Sequence, residues 1–175
     1  MTEDDFREFF AANFTDVWGF ARRRTDSASD ADDVTAETFS VAWRRRGDVP
    51  ARDARLWLFG VARNVLANHH RAAQRRRNLH LRLATTQTEP AAYEPDGLVW
   101  EALAELSDED RELLLMRAWD DLGVADIATV LGITAANVSS RLYKARARLL
   151  REIERRDPSG AAHVQFESRG KGSDR

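Results

Sequence analysis

Apolar residues near the start of the chain recur at three- and four-residue steps: Phe6, Phe9, Phe10, Phe14, Val17 and Ala21. That period draws one stripe along a first helix, and its aromatics are expected in a core rather than at a ligand site. A polar break from Thr25 to Ser29 separates it from a second helix, expected from about Asp30 to Trp43. Here Val34, Phe39 and Trp43 are apolar, while Asp32, Asp33 and Glu37 are acidic. Acid in a first helical turn complements the positive end of the helix dipole. Arg44-Arg45-Arg46-Gly47-Asp48-Val49-Pro50 reads as a basic loop, because glycine and proline punctuate it. A long helix is expected from near Arg52 through Leu56, Trp57, Phe59, Val61, Val65 and Leu66 into Arg75-Arg76-Arg77.

The periodicity lapses over residues 84–96, where two prolines and three threonines predict a linker. Leu98, Ala102, Leu103 and Leu106 then suit a short helix, and Ser107 followed by Asp108-Glu109-Asp110 supplies a cap for the next. The stretch Val124 to Val138 has the layout of a helix-turn-helix. Ala128 is small where two helices cross, Gly132 allows the left-handed turn, and Thr134 can cap the second helix. Ile127, Leu131, Ile133, Val138 and Leu142 can close a common core. The reading is therefore all-α: an N-terminal helical domain over 1–83, a flexible linker over 84–96 and a small helix-turn-helix domain over 97–156. The Gly/Ser-rich tail 157–175 is expected to be disordered.

Composition narrows the chemistry. At 175 residues the chain has room for one domain or two small ones. There is no cysteine, which excludes disulfide scaffolds, thiolate metal sites and cysteine nucleophiles. The acidic opening MTEDDFREFF lacks the basic-then-apolar order of a signal peptide, and no apolar run approaches the ~18 residues of a membrane span. A cytoplasmic protein without membrane insertion is expected. His69 and His70 are neighbours on a helix, so their side chains diverge and make a poor metal pair. Nucleophile, base and phosphate-cradling glycine constellations are missing at useful spacing, so neither an enzyme nor a cofactor is expected.

The net charge of −2 conceals an alternation. Residues 1–38 hold 4 basic and 10 acidic side chains, and 39–83 hold 11 and 2. Residues 84–132 then hold 2 and 12, and 133–156 hold 7 and 2. Two basic blocks predict two places where a polyanion docks, because phosphate neutralisation supplies most sequence-independent affinity for nucleic acid. In the helix-turn-helix, polar residues near the N-terminus of the second helix can address major-groove base edges while later cations hold phosphates.

Three segments together resemble a known family. They are Asp30-Ala31-Asp32-Asp33-Val34-Thr35-Ala36-Glu37-Thr38-Phe39 with Ala42-Trp43; Trp57-Leu58-Phe59-Gly60-Val61-Ala62-Arg63-Asn64-Val65-Leu66; and Asp126-Ile127-Ala128 through Leu131-Gly132 to Val138, Ser140-Arg141-Leu142 and Ala145-Arg146. In this order they resemble the extracytoplasmic-function group of bacterial RNA polymerase sigma factors over about residues 6–152. The resemblance implies two helical domains on a tether, the first reading the −10 promoter element and the second the −35 element. It implies core RNA polymerase and promoter DNA as partners, and an anti-sigma factor by family analogy. Asp32, Asp33 and Glu37 would then dock on the polymerase clamp. Arg46, Asp48, Arg63, Asn64, Asn68, His69 and Arg71 would serve the −10 element. Arg117, Asn137, Ser139, Ser140, Arg141, Tyr143 and Lys144 would serve the −35 element. The recognition helix departs from the family wording: Ala136-Asn137 replaces a common Gly-Thr, and Ser139 stands where Lys or Arg is frequent. These departures bear on the preferred −35 sequence. The competing reading is a conventional helix-turn-helix regulator acting on duplex DNA without polymerase, and the basic block over 39–83 argues against it, since a sensor module has no need of that charge.

Overall fold

The computed structural model describes residues 1–80 and 97–158, with side chains placed for all of these but 76–80. The linker expected over 84–96 and most of the tail lie outside the described residues. Seven helices and no strand occur among the described residues: α1 Glu3–Arg22, α2 Ala28–Arg44, α3 Ala54–His80, α4 Gly97–Ala104, α5 Asp108–Ala118, α6 Val124–Leu131 and α7 Ala135–Arg156.

Local chemistry sets the boundaries. Thr2 caps α1 by accepting from the Asp5 N–H, and the Asp5 carboxylate accepts from the Thr2 N–H in return. Ser27 caps α2, accepting from the Asp30 N–H at 3.0 Å, and the helix begins at Ala28, two residues before the expected position. Ser107 and Thr134 cap α5 and α7 through the Asp110 and Asn137 N–H groups. Gly132 closes α6 at φ 66°, and the Ile133 N–H returns to the Ala128 carbonyl, the wrap of a left-handed helix end. The C-terminus of α4 is held differently. Arg111 donates to the carbonyls of Leu103, Ala104 and Leu106, which places a cation at the negative helix end.

Helices α1, α2 and α3 pack together, and their own core includes Val17, Phe39, Ala42 and Leu58 with Phe6, Phe9 and Trp57 against it. The expected stripe on α1 is shifted at its flank: Phe10 and Phe14 are 37% and 40% exposed, while Phe20 is fully buried. Phe10 lies between Phe14 and Phe39, with ring centroids 5.3 Å and 4.6 Å away. Helices α4, α5 and α7 form a second core from Leu103, Leu106, Leu114, Leu115, Ala145, Leu149 and Ile153. A third cluster joins the two sets of helices. Phe20, Ala21, Phe59, Ala62 and Leu66 from the first set pack with Leu113, Met116, Leu122, Ile127, Val138 and Leu142 from the second. Phe20 stacks on Phe59 at 4.7 Å in its middle. The helix-turn-helix core is therefore continuous with the N-terminal helices.

Candidate nucleic-acid and protein interfaces

The acidic face of α2 exists because its other face is spoken for. Ala31, Val34, Thr35, Thr38, Phe39 and Ala42 are buried, and the Thr35 and Thr38 hydroxyls satisfy themselves by donating to the carbonyls of Ala31 and Val34 at 2.7 Å. The residues between them, Asp32, Asp33 and Glu37, are exposed. The Trp18 indole donates to Asp32 at 2.7 Å and fixes its carboxylate. Glu37 pairs with Arg44 at 2.9 Å, both more than half exposed. Such a pair is weakly held in water and leaves the acid available to a partner.

The basic loop ends in a fixed conformation. Asp53 adopts φ 62°, a left-handed state that aspartate tolerates better than most residues, and its carbonyl accepts the Trp57 N–H as α3 begins. Arg46 is exposed and lies 4.7 Å over the Trp43 ring, while Asp48 pairs with Arg45. On α3, Asn64, Asn68 and Arg71 share one face at i, i+4 and i+7, with Arg63 adjacent, and all four are exposed. Arg71 donates to Asn68 at 2.9 Å, which holds the pair in register. His69 stands apart from this face. It is half-buried against α2, with Nε2 3.1 Å from Asp30, and its Nδ1 is buried without a hydrogen-bond partner. The next ring, His70, donates from Nε2 to the Arg24 carbonyl at 2.9 Å.

Helix α7 separates its two sides cleanly. Val138, Leu142, Ala145, Leu149 and Ile153 point inward, and Asn137, Ser139, Ser140, Arg141, Tyr143 and Lys144 are exposed. Tyr143 is 78% exposed, a bare aromatic on the outer side of the helix, where Leu150 is 40% exposed. Arg117, in the last turn of α5, is half-buried. Among the described residues no helix is long and apolar enough to cross a membrane, and no group of three His, Cys, Asp or Glu side chains could hold a metal ion.

Two crevices run between the sets of helices. One, of about 530 Å³, has Arg23, Arg24, Arg63 and Asn64 on one wall and Asp108, Glu109 and Glu112 on the other. The second, of about 470 Å³, sets Arg45, Arg52, Trp57 and Asn64 against Thr129 and Val130. Residues that sequence reasoning passed over tie these walls together: Arg23 and Arg24, at the end of α1, and Asp120, after α5. Asp120 is 1% exposed and carries ion pairs to both arginines. The available signal was the run Arg22-Arg23-Arg24, the one basic cluster in an otherwise acidic N-terminal block.

Comparison with known proteins connects these surfaces. Residues 9–76 match the model of sigma-70 region 2, and residues 96–149 match that of sigma-70, region 4. The chain is 38% identical over 141 residues to the ECF RNA polymerase sigma factor SigL of Mycobacterium tuberculosis, covering 74% of this chain and 77% of that one. It is 35% identical over 163 residues to the ECF sigma factor SigC of the same species, covering 87% and 85%. Among solved structures, CnrH in complex with the cytosolic domain of CnrY aligns with TM-score 0.66 at 24% identity, covering 88% of this chain and 90% of that one. The sigma factor RpoE in complex with the anti-sigma factor NepR from Bartonella quintana aligns with TM-score 0.63 at 22% identity, covering 86% and 97%.

Proposed function

The chain belongs to the extracytoplasmic-function group of sigma-70 factors, and from that premise we propose that it binds core RNA polymerase and directs it to promoters by reading a −10 and a −35 element. The observation that carries this reading is the presence of both sigma-70 regions in order, each overlapping one of the two basic blocks. A conventional regulator needs the second region alone.

The surfaces divide the work by chemistry. Asp32, Asp33 and Glu37 offer carboxylates to cationic residues of the polymerase clamp. Arg46, Asp48 and the α3 face of Arg63, Asn64, Asn68 and Arg71 grip the melted −10 strand, where unstacked bases need polar edges and the backbone needs cations. His69, turned toward Asp30, contributes by fixing α3 on α2, and so positions that face. On α7, Asn137, Ser139 and Ser140 address base edges in the −35 major groove, with Arg141 and Tyr143 beside them, while Lys144 and Arg117 hold phosphates. Like RpoE, which is solved with an anti-sigma factor, this chain takes an anti-sigma partner. It acts by binding and positioning, with no catalytic role assigned to any residue.

Run-off transcription with core polymerase on a genomic promoter library tests the reading. Promoter-specific transcripts that depend on the chain are the expected result. Binding of a duplex operator at nanomolar concentration, with neither core binding nor a transcript, would instead make the protein a conventional regulator.

A further inference from the structure

Helices α1 and α2 run antiparallel, so that Phe6 meets Trp43, Phe10 meets Phe39 and Trp18 meets Asp32. The last of these contacts differs in kind from the others. Trp18 is half-buried, with its ring packed against the cluster that includes Phe20, Ala31 and Val34. Its indole N–H reaches outward and donates to one carboxylate oxygen of the exposed Asp32 at 2.7 Å. An exposed hydrogen bond of this kind replaces one to water and adds little to folding stability. What it does set is direction, because the donor is anchored in the interior while the acceptor lies on the surface.

The three acids on the outer face of α2 therefore meet a partner from different states. Glu37 stands 2.9 Å from Arg44, so a cation arriving there has to displace one already present. Asp33 carries neither hydrogen bond nor ion pair among the described residues, and docking has to freeze a side chain that was turning in water. Asp32 has neither handicap. Its donor is neutral, so the carboxylate keeps its whole charge, and its second oxygen is left to accept from a guanidinium or ammonium group.

We propose that Trp18 is a positioning residue for polymerase docking: by holding Asp32 in a fixed direction, it makes that carboxylate the anchor of the acidic face, ahead of Asp33 and Glu37. The assignment of this face to core polymerase rests on the proposed function; the orientation of Asp32 rests on the contact. The group that fits it is an arginine or lysine side chain of the polymerase surface. A charge pair built on a carboxylate already in place forms without the ordering cost that Asp33 bears and without the exchange that Glu37 requires.

A double-mutant cycle in the full chain, titrated against core polymerase, isolates the coupling. Asp32→Ala is expected to lower affinity about tenfold, more than Asp33→Ala or Glu37→Ala does. Trp18→Phe keeps an apolar ring and removes the N–H. It is expected to lower affinity about three- to fivefold while Asp32 is present, and by less than about twofold once Asp32 is alanine. A merely structural role for the indole would give the same loss in both backgrounds. The indole proton resonance of Trp18, identified in the nitrogen-15 spectrum of the tryptophan-labelled chain by its loss in Trp18→Phe, reads the bond itself and should move in Asp32→Ala. Trp18→Leu serves the same cycle and the same identification if circular dichroism shows that the phenylalanine variant has lost helix. Equal losses in the two backgrounds, Asp32→Ala binding as well as Asp33→Ala, or an indole resonance indifferent to Asp32→Ala would each overturn the positioning role. Failure of every form to bind core, the unsubstituted chain included, would overturn the proposed function instead, and the resonance would still decide the bond.

Discussion

At the residue scale, a side chain's role was legible where its partners lie close in sequence. Thr134 was expected to cap α7 and does so, because the cap needs only the N–H three residues on. The sequence around His69 carries no local mark of its partner, Asp30, which lies on another helix. Asp120 was missed for the same reason, being one acid among twelve over residues 84–132 until folding brings Arg23 and Arg24 to it. Exposure then separates binding from stability. Asp33 and Glu37 sit four residues apart on the outer face of α2, and the one ion pair described for them, Glu37 with Arg44, is mostly exposed. Reversing both charges should weaken core polymerase binding while changing folding stability by no more than about 1 kcal/mol. Titration with core and a thermal melt measure the two, and undiminished core affinity would remove these residues from the docking surface. On α7 the same logic distinguishes reading from anchoring. Asn137→Ala or Ser139→Ala should relax −35 preference by about 1–3 kcal/mol per lost contact, whereas Arg117→Ala or Lys144→Ala should lower initiation on all sequences alike and flatten its salt dependence. A randomised −35 library transcribed at two salt concentrations reads both effects, and a changed sequence preference in Arg117→Ala with none in Asn137→Ala would reverse the roles.

At the element scale, the helical periods and the glycine, proline and cap signals predicted the described helices in order, with small shifts at their ends. The stripe on α1 went astray at Phe10 and Phe14 because a three-to-four-residue step admits two neighbouring rows. Packing against α2 and α3 chooses between the rows, burying Val17 and Phe20 and leaving Phe14 outside. The turn of the helix-turn-helix is more strictly determined. Gly132 has φ 66°, and a Cβ placed there would meet no atom within 4 Å. The need for glycine is thus conformational rather than steric. Gly132→Ala should lower stability by about 1 to 2 kcal/mol, the cost of a left-handed alanine, and Gly132→Asn by less, since asparagine tolerates that region. Denaturant melts of the two variants check the order. Equal losses would mean that the turn is limited by something other than backbone strain.

At the scale of the whole molecule, charge patterning showed that two polyanion surfaces exist and could not show how they are arranged, because block charges carry no information about which acid faces which base. The structure sets Asp108, Glu109 and Glu112 in one crevice with Arg63 and seals Asp120 under Arg23 and Arg24. On the proposed function, docking on polymerase and duplex contact precede strand capture, because unstacked bases are present only once the enzyme has assembled on DNA and opened it. Residues that hold unstacked bases should then matter late. Replacing Asn64, Asn68 and Arg71 together by alanine is expected to leave core binding and −35 preference intact and to reduce open-complex formation. All three are exposed, and Asn68 and Arg71 are bonded chiefly to each other and to their own helix, so the fold loses little. Permanganate reactivity of thymines in the melted region reports strand opening directly, alongside a core-binding titration of the same variant. Lost reactivity with retained core affinity places −10 capture on this face of α3. Reactivity equal to that of the unsubstituted protein would move the site to the loop from Arg46 to Asp53.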